Sequence, residues 1–216
     1  MPVTSKPRLV SADAAWLAMP CWPEPFRILT LTFDCYGTIA DWNTGMGGPL
    51  EKVAGLASAA RHEGITLPHG GEATFVRAWP DMPVFEDAGP ALTALREHGW
   101  RLAILTNCDD DLFATTRPRL PVPFDLVVTA QQVGSYKPDL GHFRAFADQV
   151  SVTSATWIHV ANSWVHDMLP AARMGLRKVW VDRDSTGHPA KLAERRITSM
   201  RRLPEAVADV SAIAPR

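Results

Sequence analysis

Short, unbroken apolar runs recur along this chain, and each gives way to polar residues. Residues 28–33, 102–106, 126–129, 157–161 and 178–181 are too short for helices and lack the alternation of a half-exposed strand. They predict parallel strands buried on both faces. Helical patterns fill most of the gaps: 88–98, stopped by Gly99; 109–117, opening on three acids; 140–150; and 165–174, closed by Gly175. Strand and helix in alternation predict an α/β fold with a doubly wound parallel sheet and right-handed crossovers. One connection breaks the rhythm. The chain between Phe33 and Leu102 is far longer than one crossover helix needs. Residues 41–83 therefore read as a short helical cap inserted after the first strand, with helices at 50–61 and 72–79. The domain reading is an N-terminal extension at 1–27, a core at 28–40 and 84–216, and the cap between them.

The chemistry gathers where the strands end. The first runs straight into Asp34, then Cys35, Tyr36, Gly37 and Thr38. The second ends in Thr106 and Asn107. Gly134-Ser135-Tyr136-Lys137-Pro138 follows the third, and the fourth ends in Asn162 and Ser163, with His166 and Asp167 just beyond. Open α/β sheets bind their ligands at this edge. Asp34 alone reads equally well as a turn cap or as a covalent nucleophile. Four polar strand ends in register favour the nucleophile. An aspartate approaching an anionic substrate meets repulsion of about 4 kcal/mol at ~4 Å in an effective dielectric near 20. Lys137 is placed to cancel it. Thr106, Asn107 and amides near Gly37 would hold substrate oxygens. Asp167 would orient Lys137, position water or bind a metal ion.

Composition narrows the partners. The 216 residues are 46% hydrophobic and 21% charged with a formal net charge of −1, which gives no electrostatic case for nucleic acid or an anionic membrane. Arg195, Arg196, Arg201 and Arg202 form one basic cluster, read as a solvated helix face. Cys21, Cys35 and Cys108 lack CxxC spacing and fit a reducing, cytoplasmic setting. No apolar run reaches the ~18 residues of a spanning helix. Residues 1–27 end in a stretch stiffened by Pro20, Pro23 and Pro25 and have no continuous apolar core, and so read as an extension rather than a signal peptide. His62, His69, His98, His142, His159 and His188 show no metal-ligand spacing.

The order FDxYGT, LTN, VGSYKPD, ANSxxxD over residues 28–183 resembles the haloacid dehalogenase superfamily of Asp-nucleophile hydrolases, and within it the type II L-2-haloacid dehalogenase-like group. The resemblance implies a Rossmann-like core, Asp34 as nucleophile, Thr38 and Thr106 on oxygens, Lys137 as balancing cation and Asp167 closing the site. Tyr36, Asn162, Ser163 and His166 join Thr106 and Asn107 as expected substrate-side residues. The superfamily's phosphatases carry a second Asp where Tyr36 stands. That acid protonates the leaving alkoxide, and such general acids contribute roughly 10²–10⁴-fold. Halide needs no proton to leave. Asn162 standing for an Asp also weakens a magnesium site. The expectation is thus an S-2-haloacid dehalogenase acting on a small molecule without cofactor. Alternatives are a magnesium-dependent phosphatase, with Asp34 and Asp167 as metal ligands, or a non-catalytic relative. Trp164, Phe143 and His166 depart from the dehalogenase pattern, which has Asn, Tyr and Trp there. His166 reads more readily as a cap residue than as a base. Arg61 and Arg77 are candidates for the arginine that the dehalogenase cap donates. The short cap leaves room for a homodimer in which a neighbouring subunit completes it.

Overall fold

A computed structural model describes residues 29–45 and 77–213. Its centre is a six-stranded, all-parallel sheet of order β3-β2-β1-β4-β5-β6. The strands are β1 (Thr30–Phe33), β2 (Arg101–Thr106), β3 (Leu126–Thr129), β4 (Trp157–Ala161), β5 (Arg177–Val181) and β6 (Arg195–Ile197). Strand order runs one way from β1 to β3 and the other way from β4 to β6. The reversal falls between β1 and β4, where doubly wound folds open their ligand crevice. Asp34 and Asn162 immediately follow these two strands.

Period-two alternation sorts the core. Leu31, Phe33, Ile158 and Val160 face one layer, formed by α1 (Ala88–Glu97) and α6 (Leu203–Ala212). Helix α1 turns Ala88, Ala91, Leu92 and Leu95 inward, a helical stripe, and α6 does the same with Leu203, Ala206, Val207 and Val210. Ala103, Leu105, Val128 and Trp157 face the opposite layer, where α4 (Gly141–Val150) supplies Phe143 and Phe146. The shorter helices are α2 (Asp110–Thr116), α3 (Ala130–Val133) and α5 (Leu169–Arg173).

Strand and helix positions follow the sequence pattern closely, with instructive exceptions. The expected helix at 165–174 begins as a π-helical turn, Trp164–Met168, before α5. The arginine cluster is not one helix face. Arg195 and Arg196 lie on edge strand β6, and Arg201 and Arg202 on a 3-10 turn entering α6. Three of the four are paired: Arg195 with Asp209 (3.0 Å), Arg196 with Asp182 (2.6 Å) and Arg202 with Glu205 (3.0 Å). Strand β6, α3 and α6 were not anticipated from the sequence.

The two ends of the 41–83 segment are fastened side by side. Ala40 and Val84 form an antiparallel bridge, Asp41 N donates to Pro83 O (2.7 Å), and Phe85 N donates to Ile39 O (2.9 Å). The helix expected at 50–61, most of that at 72–79, Arg61, Cys21 and the extension 1–27 lie outside the described residues. Among the described residues no helix is long and apolar enough to cross a membrane.

Candidate active site

Asp34 sits at the mouth of the crevice because β1 stops there and the chain folds back at once. Asp34 N still continues the ladder to Val160 O (3.1 Å). The Cys35 carbonyl then collects the N–H groups of Thr38, Ile39 and Ala40. Gly37 adopts φ +87°, a left-handed conformation that side chains resist, so glycine is what closes this turn. The turn delivers Thr38 Oγ1 to Asp34 Oδ2, to which it donates (3.0 Å), while the same hydroxyl accepts from Asn162 N (2.9 Å).

Lys137 reaches this point from a loop that is held at both ends. Upstream, Thr129 and Gln132 form a capping box on α3, and Gly134 ends that helix in a left-handed conformation. Downstream, the Asn107 amide grips the backbone of Lys137 itself, accepting from its N–H (2.6 Å) and donating to its carbonyl (2.9 Å). The ammonium is 2% exposed and uses all three of its hydrogens: on Asp34 Oδ1 (2.9 Å), Asp167 Oδ1 (2.7 Å) and Leu105 O (2.8 Å). Asp167 is fully buried on the π-helical turn, which Ser163 caps by accepting from His166 N (3.2 Å).

Two carboxylates and one lysine in a dry pocket do not balance, and the imbalance separates the carboxyls. Burial pushes the Asp34 carboxyl up from its ordinary range. Lys137 recovers part of that, and the charge of Asp167 adds to it. Burial also works against ionised Asp167, but Lys137 and a hydrogen bond from His159 outweigh it and hold the group below the usual range. The Lys137 ammonium is opposed by burial, yet the two aspartates keep it above its normal value. Asp167 Oδ2 is buried and has no hydrogen-bond partner among the described residues.

Asp34, Thr38, Lys137 and Asp167 are thus in direct contact. The remaining candidates are placed differently. The Asn107 amide is committed to Lys137. Ser163 Oγ and His166 Nδ1 bond each other (3.0 Å) on an exposed turn, a local cap rather than groups aimed at Asp34. Asn162 turns its amide to Asp184 (3.4 Å) and the Arg183 backbone (3.3 Å). The Tyr36 hydroxyl points away into packing, bonded to Thr116 Oγ1 (2.8 Å) and accepting from Trp79 Nε1 (3.0 Å). Burial drives its phenol far above the ordinary range. The Thr106 hydroxyl is buried without a partner among the described residues. Phe143 lies under the site, edge-on to the His159 ring at 5.0 Å. Trp164 packs on Trp180 and stacks on His188.

Two residues escaped the sequence reading. His159 bonds Asp167 from beneath (3.0 Å). Arg183 donates to the Thr38 carbonyl (2.9 Å), forms a bidentate pair with Asp87 (2.9 and 3.0 Å), and covers the Phe85 ring at 3.7 Å. A lone histidine in the apolar run Trp157-Ile158-His159-Val160-Ala161 was the available signal for the first. Arg183, just past a strand end, offered none.

The family model for haloacid dehalogenase-like hydrolases matches residues 74–181, half of the chain. The chain belongs to this family. Lys137 and Asp167 fall inside the match; Asp34 precedes it. A haloacid dehalogenase-like phosphatase crystal structure from Thermococcus onnurineus superposes with a TM-score of 0.63 at 20% identity, covering 84% of this chain and 99% of that one. An L-2-haloacid dehalogenase from Xanthobacter autotrophicus, with chloropropionic acid covalently bound, superposes with a TM-score of 0.68 at 17% identity, covering 87% and 100%. At these identities the likeness concerns the fold. In sequence, a phosphatase of Mycobacterium tuberculosis is 31% identical over 135 residues, 59% of this chain and 56% of that protein. The alignment thus spans little more than half of that relative. Among the described residues no group of three or more His, Cys, Asp or Glu gathers as a metal site. Among the described residues, Asp34 and Asp167 offer the site's hard anionic oxygens, and Asp167 Oδ2, without a partner there, suits a magnesium ion, which commonly takes one or two protein carboxylates.

Proposed function

We propose that this haloacid dehalogenase-like hydrolase uses Asp34 as a nucleophile on substrates whose leaving group departs without a proton, and that short S-2-haloacids are such substrates. An Asp34 carboxylate oxygen attacks C2, the carbon–halogen bond breaks, and halide leaves with the bonding pair. Water then adds to Cγ of the resulting ester and gives a proton to Asp167. The Cγ–O bond breaks, and the departing 2-hydroxyacid oxygen takes that proton. The second water proton leaves as Asp34 re-ionises. Attack from the rear inverts C2. Lys137 offsets the charge of Asp34 as the anionic substrate approaches, and Thr38 orients the carboxylate. A cap following the first strand, as the family resemblance implies, would exclude water from this chemistry.

The observation that carries this reading is the locked Tyr36 hydroxyl. It stands where a phosphatase of this family protonates an alkoxide, yet it is bonded to Thr116 and Trp79 and held firmly protonated. A second reading, magnesium-dependent phosphate ester hydrolysis, draws on the bare Asp167 oxygen and on the named phosphatase relative. There Asp34 and Asp167 would hold the ion, which would supply charge neutralisation for the phosphoryl group.

The test offers purified protein 2-chloropropionate without metal, and an alkyl phosphate with magnesium. An aryl ester such as p-nitrophenyl phosphate is unsuitable, because its leaving group also needs no proton. Halide release abolished by Asp34→Asn is the expected result. Alkyl phosphate hydrolysis lost on chelation, with no halide release, overturns it in favour of the second reading. Silence with both identifies a non-catalytic relative.

A further inference from the structure

A polar chain runs beneath the site through an otherwise apolar layer. Trp157 Nε1 donates to Thr32 Oγ1 (2.7 Å), Thr32 Oγ1 bonds His159 Nδ1 (2.8 Å), and His159 Nε2 bonds Asp167 Oδ1 (3.0 Å). Thr32 and His159 are fully buried and Trp157 nearly so, on adjacent strands β1 and β4 whose register places Thr32 opposite His159. The inward-facing side of β4 would ordinarily be aliphatic. Polar atoms at this depth persist only when each is satisfied.

The direction of the chain follows from its first member. An indole N–H can only donate. Thr32 Oγ1 therefore accepts from Trp157, and its single proton is available for His159 Nδ1. That leaves the neutral imidazole protonated on Nε2, facing the carboxylate. The opposite tautomer would turn a lone pair toward an anion. The imidazolium would leave the Thr32 proton with no acceptor among these partners. All three hydrogen bonds thus point one way and end on Asp167 Oδ1, which also takes the Lys137 ammonium. Both available donors meet on one oxygen, while Oδ2 of the same buried carboxylate has none.

We propose that His159, backed by Thr32 and Trp157, is a positioning residue that pins Oδ1 of Asp167 and reserves Oδ2 as the proton acceptor for the water that cleaves the Asp34 ester. The hydrolytic part of this statement rests on the haloacid reading above. The polarity of the chain does not. Without His159, Lys137 alone leaves the carboxylate free to turn, and Oδ2 loses its fixed aim. The first half-reaction, attack by Asp34, does not use Oδ2 and so does not depend on His159.

Two measurements on the full chain test this. Nitrogen-15 NMR reads the tautomer: His159 protonated on Nε2, with Nδ1 accepting, is expected, and protonation on Nδ1 overturns the chain. Rapid mixing with 2-chloropropionate followed by intact mass spectrometry separates the half-reactions. His159→Leu should form the Asp34 adduct at close to the wild-type rate but hydrolyse it roughly 10- to 100-fold more slowly, the range for supporting residues of this kind, so that adduct accumulates. His159→Gln, whose amide N–H can replace Nε2, should restore most of the loss. Equal slowing of both half-reactions, or no accumulation in the leucine variant, overturns the positioning role. If the leucine variant does not fold, the glutamine variant and the tautomer still decide. If wild-type protein forms no adduct with any short 2-haloacid, the haloacid reading fails and the tautomer judges the chain alone.

Discussion

Two buried ion pairs flank the Gly37–Thr38 turn, and they are built to opposite specifications. Arg183 and Asp87 carry one charge each. Asp87 Oδ1 takes one guanidinium hydrogen, and Oδ2 takes the other along with Ser199 Oγ (2.7 Å) and Met200 N (2.9 Å). Two more of the guanidinium's five hydrogens, on Nε and Nη2, go to the Thr38 carbonyl. No charge is left over and each carboxylate oxygen has its donors. On the other side, one ammonium serves two carboxylates and one oxygen, Asp167 Oδ2, is bare. A buried pair is tolerated when its hydrogen bonds are complete and is costly when they are not. The first cluster clamps the turn. The second is left incomplete, which suits the reactive role proposed for it.

The contrast can be broken most severely at Asp34. Asp34→Asn should reduce halide release below detection while leaving the melting temperature unchanged or raised, because it removes one of two crowded carboxylates. Parallel halide assays and calorimetry check this, and a lower melting temperature would mean that the cluster is a stabilising one. Removing one partner of the other pair should do the reverse. Arg183→Ala strands a buried carboxylate and releases the Thr38 carbonyl, so a loss of about 3–5 kcal/mol in denaturant unfolding is expected.

The two clusters should also differ in their response to acid. Burial opposes the ionised Asp87, but the Arg183 pair and the Ser199 and Met200 hydrogen bonds outweigh it and depress its carboxyl. A depressed group contributes stability above its unfolded value, ~3.9, and loses that contribution as pH falls through the folded value. Asp87→Asn should therefore flatten the acid limb of a melting-temperature profile below about pH 4. The raised Asp34 carboxyl works in the opposite sense and in a higher window: it takes up its proton above the unfolded value, ~3.9, and favours the fold as pH falls toward that value, so Asp34→Asn should make the melting temperature fall more steeply just above about pH 4. The smallest effect is expected at Tyr36. Tyr36→Phe removes a partly buried hydroxyl bonded to Thr116 and Trp79, a loss of about 1 kcal/mol, with halide release nearly unchanged. A large fall in release would show that the phenol acts in the reaction.

The reactive cluster was legible in the sequence because its members lie at strand ends, and parallel topology carries every strand end to one edge. Asp34 ends β1, and the loops that follow β3 and β4 bring Lys137 and Asp167 to the same edge. What the residues near them are bonded to was not legible. The Asn107 amide could have faced a ligand, and only the packing of two loops 30 residues apart in sequence shows that it holds the Lys137 backbone. Strand β6 escaped for a different reason. Arg195-Arg196-Ile197 is an edge strand with two exposed arginines, and the apolar signal that marks inner strands is missing there. The partnership of Thr32 with His159 depends on which strand lies beside β1, a matter of topology that local pattern does not encode.

The bridge between Ala40 and Val84 has an engineering consequence. It closes the sheet side of the 41–83 segment with its own backbone hydrogen bonds, so the ends of the segment are held together from the core side. For a flexible span joining fixed ends, doubling the length adds only about 0.6 kcal/mol of closure entropy. Chains of different length can be spliced between Gly45 and Arg77 while this stem, and the packing of Trp42 and Trp79 on Tyr36, are kept. The stem is a socket whose fastening belongs to the core side.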